Sequence, residues 1–319
     1  MRVLHAVEGS LDRPRSVAPR RALALARVQP ELGFVPFLWA SEGHPLPASG
    51  RLPASSVCGR PPLARWPRVA AWSESLERHM RRSKAEVLHA HGSIVLGAAA
   101  RLAAWRTDRP VVLELYGRAP SLPWGVPCPW NVMVARWPGQ VVRLRERLRI
   151  QPLLIPHGFP EEAVGLRPHA GSRRGTLLYG AQPQLEGRPA PIREITRPRA
   201  FARAASRAEL VLFGPYGVEA PPELASALAL CPSVVGPRDG GYGHLGVRDL
   251  YEGAESGSMQ TAIQRALDRP AGPRPELERT RRWRLVAEAY FEVYEGCLAP
   301  EPWTRRLVAR ADRWLRKQL

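Results

Sequence analysis

The chain has 319 residues and carries 47 Lys and Arg against 29 Asp and Glu, which gives a formal net charge of +18. Hydrophobic residues make up 45% of the sequence, the level of a globular protein, and this excludes a chain that is disordered throughout. No uncharged apolar run reaches the roughly 18 residues of a membrane-spanning helix. The four cysteines are too scattered for a zinc finger or a disulfide framework. The first apolar segment is too short for a signal peptide, so we expect a cytoplasmic protein.

The first half of the chain alternates short apolar segments with helical ones. Segments rich in Val, Leu and aromatic residues predict buried strands at 2–7, 34–39, 86–90 and 111–116, and a shorter strand at 153–155. Segments dominated by Ala, Leu and Arg predict helices at 17–28, 70–83, 94–105 and 141–148. This alternation favours a parallel sheet with crossover helices.

The second half repeats this pattern in a smaller form. A polar stretch with Gly and Pro at 161–174 predicts an interdomain linker. After it we predict strands at 176–179, 209–213 and 233–236, and helices at 198–207, 222–230, 258–268, 276–297 and 303–319. We therefore expect an α/β protein with a first domain at 1–160, a second at 161–296 and a helical tail at 297–319.

Several motifs follow one another in an order that resembles a known family. They are EVLHAHG before an Ala-rich helix (86–92), LLIPHGF (153–159), ALALCPSVVGPRDGG (227–241) and VRDLYEGAESG (247–257). In this order they resemble the family-four-type glycosyltransferases of the glycosyltransferase-B fold. The resemblance implies two Rossmann-like domains that face a cleft. It also implies sugar transfer from a nucleotide-sugar, usually with retained configuration and without a bound metal or a cofactor.

The resemblance also implies roles for four residues near strand ends. His91 takes the position of the family's histidine that hydrogen-bonds the donor sugar, although a buried structural role is an alternative. Gly9 is the glycine left in the first loop, where the family brings backbone close to phosphate. Gly240 and Gly241 belong to a glycine-rich loop whose N–H groups could approach a phosphate or a sugar.

The donor-binding motifs of the family are altered in the second half. The expected Arg is missing after Gly180, so Arg188 or Arg193 is the candidate for the diphosphate, since Arg binds phosphate through a bidentate fork. One expected Glu falls on Ser226, and Glu219 or Glu223 is the candidate for sugar or ribose hydroxyls.

These departures leave other functions open. One alternative is a catalytically degenerate relative that scaffolds or regulates a partner enzyme. Another is a polyanion-binding protein, which only the net charge favours; no specific nucleic-acid partner is expected, because no nucleic-acid-binding motif is found. The expected partners are a nucleotide-sugar and a glycan or lipid-linked acceptor.

Arginine and tryptophan coincide in two helical segments. The tail at 303–319 carries Trp303 and Trp314 on one side and arginines on the other, and Trp66 and Trp72 lie in a basic segment that ends at Lys84. Such helices can lie on an anionic membrane surface, at the inner face of the membrane for a cytoplasmic enzyme. The alternative is that both pack their apolar sides on the protein.

Overall fold

The structure is a computed structural model that divides into two compact units. It describes residues 1–12, 16–47, 55–58, 65–116, 132–160, 163–169, 171, 173, 175–179, 193–194, 198–214, 221, 223–238, 241–252, 256–280 and 282–299. Unit 1 contains Met1–Pro156 together with the C-terminal segment that begins at Trp283, and unit 2 contains His157–Arg282. Both units have the expected α/β architecture.

Unit 1 is built on a parallel sheet of seven strands in the order β3-β2-β1-β4-β5-β6-β7. The strands are β1 Arg2–Ser10, β2 Val35–Glu42, β3 Ser55–Val57, β4 Val87–Gly92, β5 Val111–Leu115, β6 Val132–Ala135 and β7 Leu153–Leu154. The four helices of this segment are α1 Val17–Val28, α2 Arg65–Ser83, α3 Ile94–Thr107 and α4 Pro138–Leu148. Every residue of β4 and β5 is buried, as expected for a parallel sheet covered on both faces.

The two faces of this sheet have different helical partners. Leu4, Leu88 and Leu113 face a core that α2, α3 and α4 complete. The opposite face carries Val3 and Val112 and packs against α1. Successive side chains of a strand point to opposite faces, so each face of the sheet carries every second residue of each strand.

Unit 2 has a smaller parallel sheet in the order β12-β11-β10-β8-β9. Its strands are β8 Thr176–Tyr179, β9 Arg193–Glu194, β10 Leu210–Phe213, β11 Ser233–Pro237 and β12 Asp249–Tyr251. Its helices are α5 Pro198–Ala205, α6 Glu223–Leu230, α7 Ser256–Asp268 and α8 Glu276–Thr280. One face packs on α5, α6 and α8, and the other packs on α7.

The last described helix, α9 Trp283–Leu298, returns to unit 1. Val286, Tyr290, Val293 and Tyr294 form its buried stripe, and they pack in the same core as Val3. The expected second domain at 161–296 is therefore too long, because it includes a helix whose apolar side fills the core of unit 1. The single helix predicted at 276–297 is two helices, α8 and α9, and the boundary between the units follows Pro156.

The described residues contain no helix that is both long and apolar enough to cross a membrane. The predicted tail at 303–319 lies outside the described residues.

We expect that Val286→Ala loosens unit 1 and leaves unit 2 unchanged. The substitution removes two buried methyl groups and should cost about 2 kcal/mol of unfolding free energy. Hydrogen exchange should accelerate in β4 and β5 and stay constant in β10 and β11. Glu295→Ala, an exposed change on the same helix, should alter neither. Faster exchange in β10 and β11 would show that α9 supports unit 2 instead.

Candidate functional site

Four polar side chains lie fully buried in the centre of the unit-1 sheet. They are His5 on β1, His89 and His91 on β4, and Glu114 on β5, each 0% exposed. The register pairs His5 with His89 and His91 with Glu114, so the strand alternation turns all four toward the face covered by α1 and α9.

Glu114 is the negative charge of this cluster. Its Oε1 lies 2.7 Å from Arg21 Nε and 3.9 Å from Arg136 Nε, and its Oε2 lies 3.0 Å from His91 Nδ1. Burial alone would raise the pKa of the Glu114 carboxyl, but the charge of Arg21, the hydrogen bond from His91 and the charge of Arg136 outweigh burial and lower it to about 2. Glu114 is therefore ionised in the folded protein at neutral pH.

Arg21 connects this carboxylate to two other parts of unit 1. Its Nη1 donates to the carbonyl oxygen of Pro156 at 2.9 Å, and its Nη2 donates to the carbonyl oxygen of Ile155 and to the Tyr290 hydroxyl, both at 3.1 Å. A side chain from α1 thus binds the last residues of unit 1 before the boundary and also α9.

The histidines form a chain of hydrogen bonds that ends at Glu114. His91 Nδ1 donates to the carboxylate, so His91 Nε2 accepts from His5 Nδ1 at 3.0 Å. His5 Nε2 lies 2.8 Å from the Gln29 side-chain oxygen Oε1. A neutral His5 whose Nδ1 donates needs a donor at Nε2, and turning the amide over exchanges its oxygen and nitrogen without changing its shape, so we assign the Gln29 NH₂ group to this contact.

Burial keeps the three imidazoles neutral. Burial is the largest cause that lowers their pKa values: the pKa of His5 falls to about 3, that of His89 falls well below 6.5, and that of His91 falls despite its bond to Glu114. His89 Nδ1 lies 2.7 Å from the Tyr294 hydroxyl, which joins α9 to the cluster.

Ring nitrogens of His5, His89 and His91 all lie within 4.8 Å of one another, which is the donor set that zinc and copper prefer. However, the guanidinium groups of Arg21 and Arg136 beside the cluster oppose a further cation. Hydrogen bonds already account for both nitrogens of His5 and His91. We therefore assign the cluster a structural role and place no metal there.

The predicted donor contact of His91 has to be judged against this geometry. The ring is 0% exposed, and its two nitrogens bond to Glu114 and His5.

The sequence reasoning missed Glu114, Arg21 and His5. A lone acidic residue inside the apolar segment VVLELY was the signal that could have revealed Glu114.

The carboxyl edge of the unit-1 sheet carries Gly9 and an acidic side chain beside it. Gly9 has φ +117, which favours glycine, and its N–H donates to Ser41 Oγ at 2.9 Å. Glu8 Oε2 accepts from the backbone N–H of Ser93, the N-cap of α3, at 2.5 Å. A Cβ at Gly92 would lie 2.7 Å from Glu8 Cβ. Glu8 therefore occupies the α3 N-terminus, a position that would otherwise attract a phosphate.

The corresponding edge of the unit-2 sheet brings Glu223 and Tyr242 together. Glu223 begins α6 and is 1% exposed, and Tyr242 is fully buried after β11. Burial, and to a lesser degree the nearby charge of Glu223, raises the pKa of Tyr242. Gly236 leaves room for this ring, since a Cβ there would lie 2.5 Å from Tyr242 Cδ1. Ser226 lies one turn after Glu223 on the same side of α6 and is also buried.

The other predicted donor-site residues divide into two groups. Gly241 is described: its φ is +86 and its carbonyl oxygen accepts from Leu245 N. Arg193 lies in β9, but its side chain is outside the described part. Arg188, Glu219 and Gly240 lie outside the described residues, so their predicted roles stay predictions.

Comparisons with known proteins agree with the resemblance seen in the motifs. The model of Glycosyltransferase Family 4 matches residues 18–155. No curated protein matches the chain in sequence. The family match confirms the family-four-type resemblance over most of unit 1. It does not extend to the second half of the chain, for which only the fold can be compared.

Solved structures with the same fold cover nearly the whole chain. Sucrose-phosphate synthase from Thermosynechococcus elongatus is 13% identical with a TM-score of 0.66, over 92% of this chain and 98% of that one. A glycosyltransferase from Rickettsia africae ESF-5 is 11% identical with a TM-score of 0.65, over 94% and 99%. UDP-GlcNAc 2-epimerase from Neisseria meningitidis, bound to UDP-GlcNAc, is 14% identical with a TM-score of 0.57, over 92% and 99%. At these identities the likeness establishes the fold, which is of the expected glycosyltransferase-B type.

The buried histidines predict a loss of stability in acid. In the folded protein the pKa of His5 is about 3, that of His89 is well below 6.5 and that of His91 is lowered, whereas the unfolded chain binds these protons near pH 6.5. Stability is therefore complete above about pH 6.5 and falls as the pH drops, by up to about 1.4 kcal/mol per pH unit for each histidine. Glu114 adds to the loss below pH 4.5, because its folded pKa is about 2.

Melting temperatures between pH 8 and pH 5 would measure this effect. His89→Gln should reduce the fall in melting temperature by up to the contribution of one histidine. His44→Gln, at an exposed position, should leave the fall in melting temperature unchanged. A wild-type melting temperature that does not change over this range would contradict the neutral cluster.

Removing the central charge should cost far more than removing a surface charge. Glu114→Gln leaves Arg21 and Arg136 buried without their carboxylate, and we expect a loss of about 3–5 kcal/mol in unfolding free energy. Glu77→Gln breaks a partly exposed pair with Arg81 and should cost less than about 1 kcal/mol. Urea titrations of both variants would test the difference, and equal losses would contradict the central role of Glu114.

Proposed function

We propose that the protein transfers a sugar from a nucleotide-sugar to a glycan or lipid-linked acceptor, because residues 18–155 match the model of Glycosyltransferase Family 4 and the fold is of the glycosyltransferase-B type. The proposal includes retained configuration and no metal ion or cofactor. The match of residues 18–155 to the family model is the observation that carries it.

The reaction sets two electrostatic demands. The leaving nucleoside diphosphate gains negative charge, so N–H groups or guanidinium groups must face it. In this proposal Arg188 or Arg193 supplies that charge; Arg193 is in β9, which pairs with β8 in the unit-2 sheet. Gly240 and Gly241 follow β11 in the sequence, and in this proposal their backbone N–H groups face the phosphates; the positive φ of Gly241 is typical of such a turn. Glu8 at the edge of unit 1 would repel phosphate, which supports placing the diphosphate on unit 2.

Hydroxyl groups of the sugar or the ribose require acceptors, and Glu223 is the candidate. Its carboxylate begins α6, after the carboxyl end of β10, where ligands of parallel α/β sheets bind. A carboxylate accepts charge-assisted hydrogen bonds from two hydroxyl groups through two oxygens, whereas Ser226 at the family's usual position offers one uncharged oxygen. Glu219, the other candidate, precedes α6 in the sequence.

Glu223→Gln should weaken nucleotide-sugar binding about tenfold, because a hydrogen bond to a charged group contributes about 1.5–3 kcal/mol. Titration calorimetry with UDP-, GDP- and TDP-linked sugars would measure the change. Glu209→Gln, an exposed change in the same unit, is the control and should bind like the wild type. Unchanged affinity in Glu223→Gln would remove Glu223 from the donor site.

The degenerate scaffold stays the second candidate function. Two observations favour it: both ring nitrogens of His91 are engaged inside unit 1, and the usual diphosphate-binding Arg is missing. A turnover assay with each nucleotide-sugar and analysis of the products separates the candidates. Transfer to an acceptor supports the enzyme, an epimerised nucleotide-sugar would point to the activity of the epimerase neighbours, and binding without turnover would favour the scaffold.

The proposal places the protein at the inner face of a cytoplasmic membrane, where an anionic surface attracts its positive charge. Retention on heparin would test the remaining polyanion alternative. Weak retention that disappears at physiological salt would leave the net charge without a specific polyanion partner.

A further inference from the structure

Trp105 is the most exposed of the large hydrophobic side chains in the described residues. It lies in the last turn of α3 and is 71% exposed. Trp39, Trp72 and Trp137 of the same unit are at most 4% exposed. A tryptophan in a folded protein normally buries most of its surface, so this position needs a separate explanation.

The surroundings of Trp105 are strongly basic. The C-terminal ends of α2 and α3 lie together, because Arg81 Nη2 donates to the carbonyl oxygen of Arg106 at 3.1 Å and Arg106 Nη1 lies 3.5 Å from Glu77 Oε2. We define the Trp105 patch as Trp105 with six cationic residues around these helix ends: Arg78, Arg81, Arg82, Lys84, Arg106 and Arg109. All six are exposed, and residues 77–84 and 105–109 offset them with only Glu77 and Asp108.

Cations at helix C-termini have a local reason, since they complement the helix dipole. That reason does not apply to an exposed indole. A tryptophan with a polar N–H and an apolar ring is suited to the interface between water and lipid, and the apolar stems of arginines can lie beside it while their guanidinium groups reach phosphates.

We propose that the Trp105 patch binds an anionic lipid bilayer. The positive side chains supply the attraction to the anionic headgroups, and Trp105 supplies the apolar contact below them. The inference rests on the membrane partner in the proposed function, and it does not depend on sugar transfer. The patch lies at the amino end of the sheet, because α2 and α3 end immediately before β4 and β5 begin. Lipid bound there leaves the opposite, carboxyl edge of the sheet free.

The Trp105 patch keeps the basic end of the segment expected from the sequence, which ends at Lys84, but not its tryptophan Trp72. Trp72 is 3% exposed and packs edge-on against Trp39, so the expectation that it reaches a membrane is wrong. Its position on α2 faces the core of the unit. The side chain of Trp66 and the tail at 303–319 are outside the described residues.

Co-sedimentation with vesicles would test the proposal. We expect the full chain at roughly 0.1 M salt to bind vesicles of phosphatidylcholine mixed with phosphatidylglycerol and not vesicles of phosphatidylcholine alone. Combined Arg78→Gln, Arg81→Gln and Arg82→Gln should weaken binding on the order of a hundredfold, since each basic residue contributes about fivefold. Trp105→Ala should weaken it on the order of tenfold without a change in net charge.

The matched control is the triple change Arg199→Gln, Arg203→Gln and Arg207→Gln at exposed positions of unit 2. It removes the same net charge from outside the patch and should weaken binding only a few-fold. Equal losses in the two triple variants, or no effect of Trp105→Ala, would overturn the proposal and assign any vesicle binding to net charge or another surface.

Two further measurements separate the remaining outcomes. If single-stranded RNA binds with the same dependence on Trp105 while vesicles do not, the partner is a nucleic acid and the proposal is wrong. Nucleotide-sugar binding by Trp105→Ala should equal that of the wild type. A failure of vesicle binding beside intact donor binding would therefore overturn the patch and leave the proposed function standing.

Discussion

The buried ion pair between Glu114 and Arg21 is the interaction on which the arrangement of unit 1 depends. Neither charge is stable in an apolar core without the other, since an unpaired buried charge costs several kcal/mol. The pair joins β5 to α1, and Arg21 extends the connection to Ile155, Pro156 and Tyr290. One guanidinium group thus binds both the residues that follow β7 and the helix α9. The positions of these two segments therefore depend on the same carboxylate, Glu114.

The location of that negative charge also sets the state of the histidines. An ionised Glu114 accepts from His91, which fixes the donor and acceptor roles of His5 and the orientation of the Gln29 amide. These buried polar groups hydrogen-bond to one another, and such a network favours a single packing of the core. The HAH motif therefore has a sufficient structural reason in this chain, and the donor site that we propose is at the carboxyl edge of unit 2, where Glu223 and Gly241 lie.

Sequence periodicity predicted most of the fold and little of the buried chemistry. The strands that contain His5 and Glu114 were predicted because the strands of a parallel sheet covered on both faces are short, nearly continuous apolar segments. The assignment of α9 to a unit was wrong, since an apolar stripe indicates burial but not the surface that buries it. The exposure of Trp105 could not be predicted for a related reason. Helix α3 is apolar on nearly every side, so no polar stripe in the sequence marks its exposed face. The side-chain network required three-dimensional pairing, which one sequence does not contain.

The described charges of unit 1 differ between the two edges of its sheet. The Trp105 patch lies at the amino end, whereas the described part of the carboxyl edge carries Glu8, Glu42 and, just beyond β1, Asp12. If a bilayer binds the patch, the carboxyl edge of the domain faces away from the lipid. A strand of six residues such as β4 spans about 20 Å. If ligands bind at the carboxyl edge, an acceptor sugar must then project at least that far from the headgroups. Among the two proposed acceptors, this orientation favours an extended glycan over a sugar attached directly to a lipid.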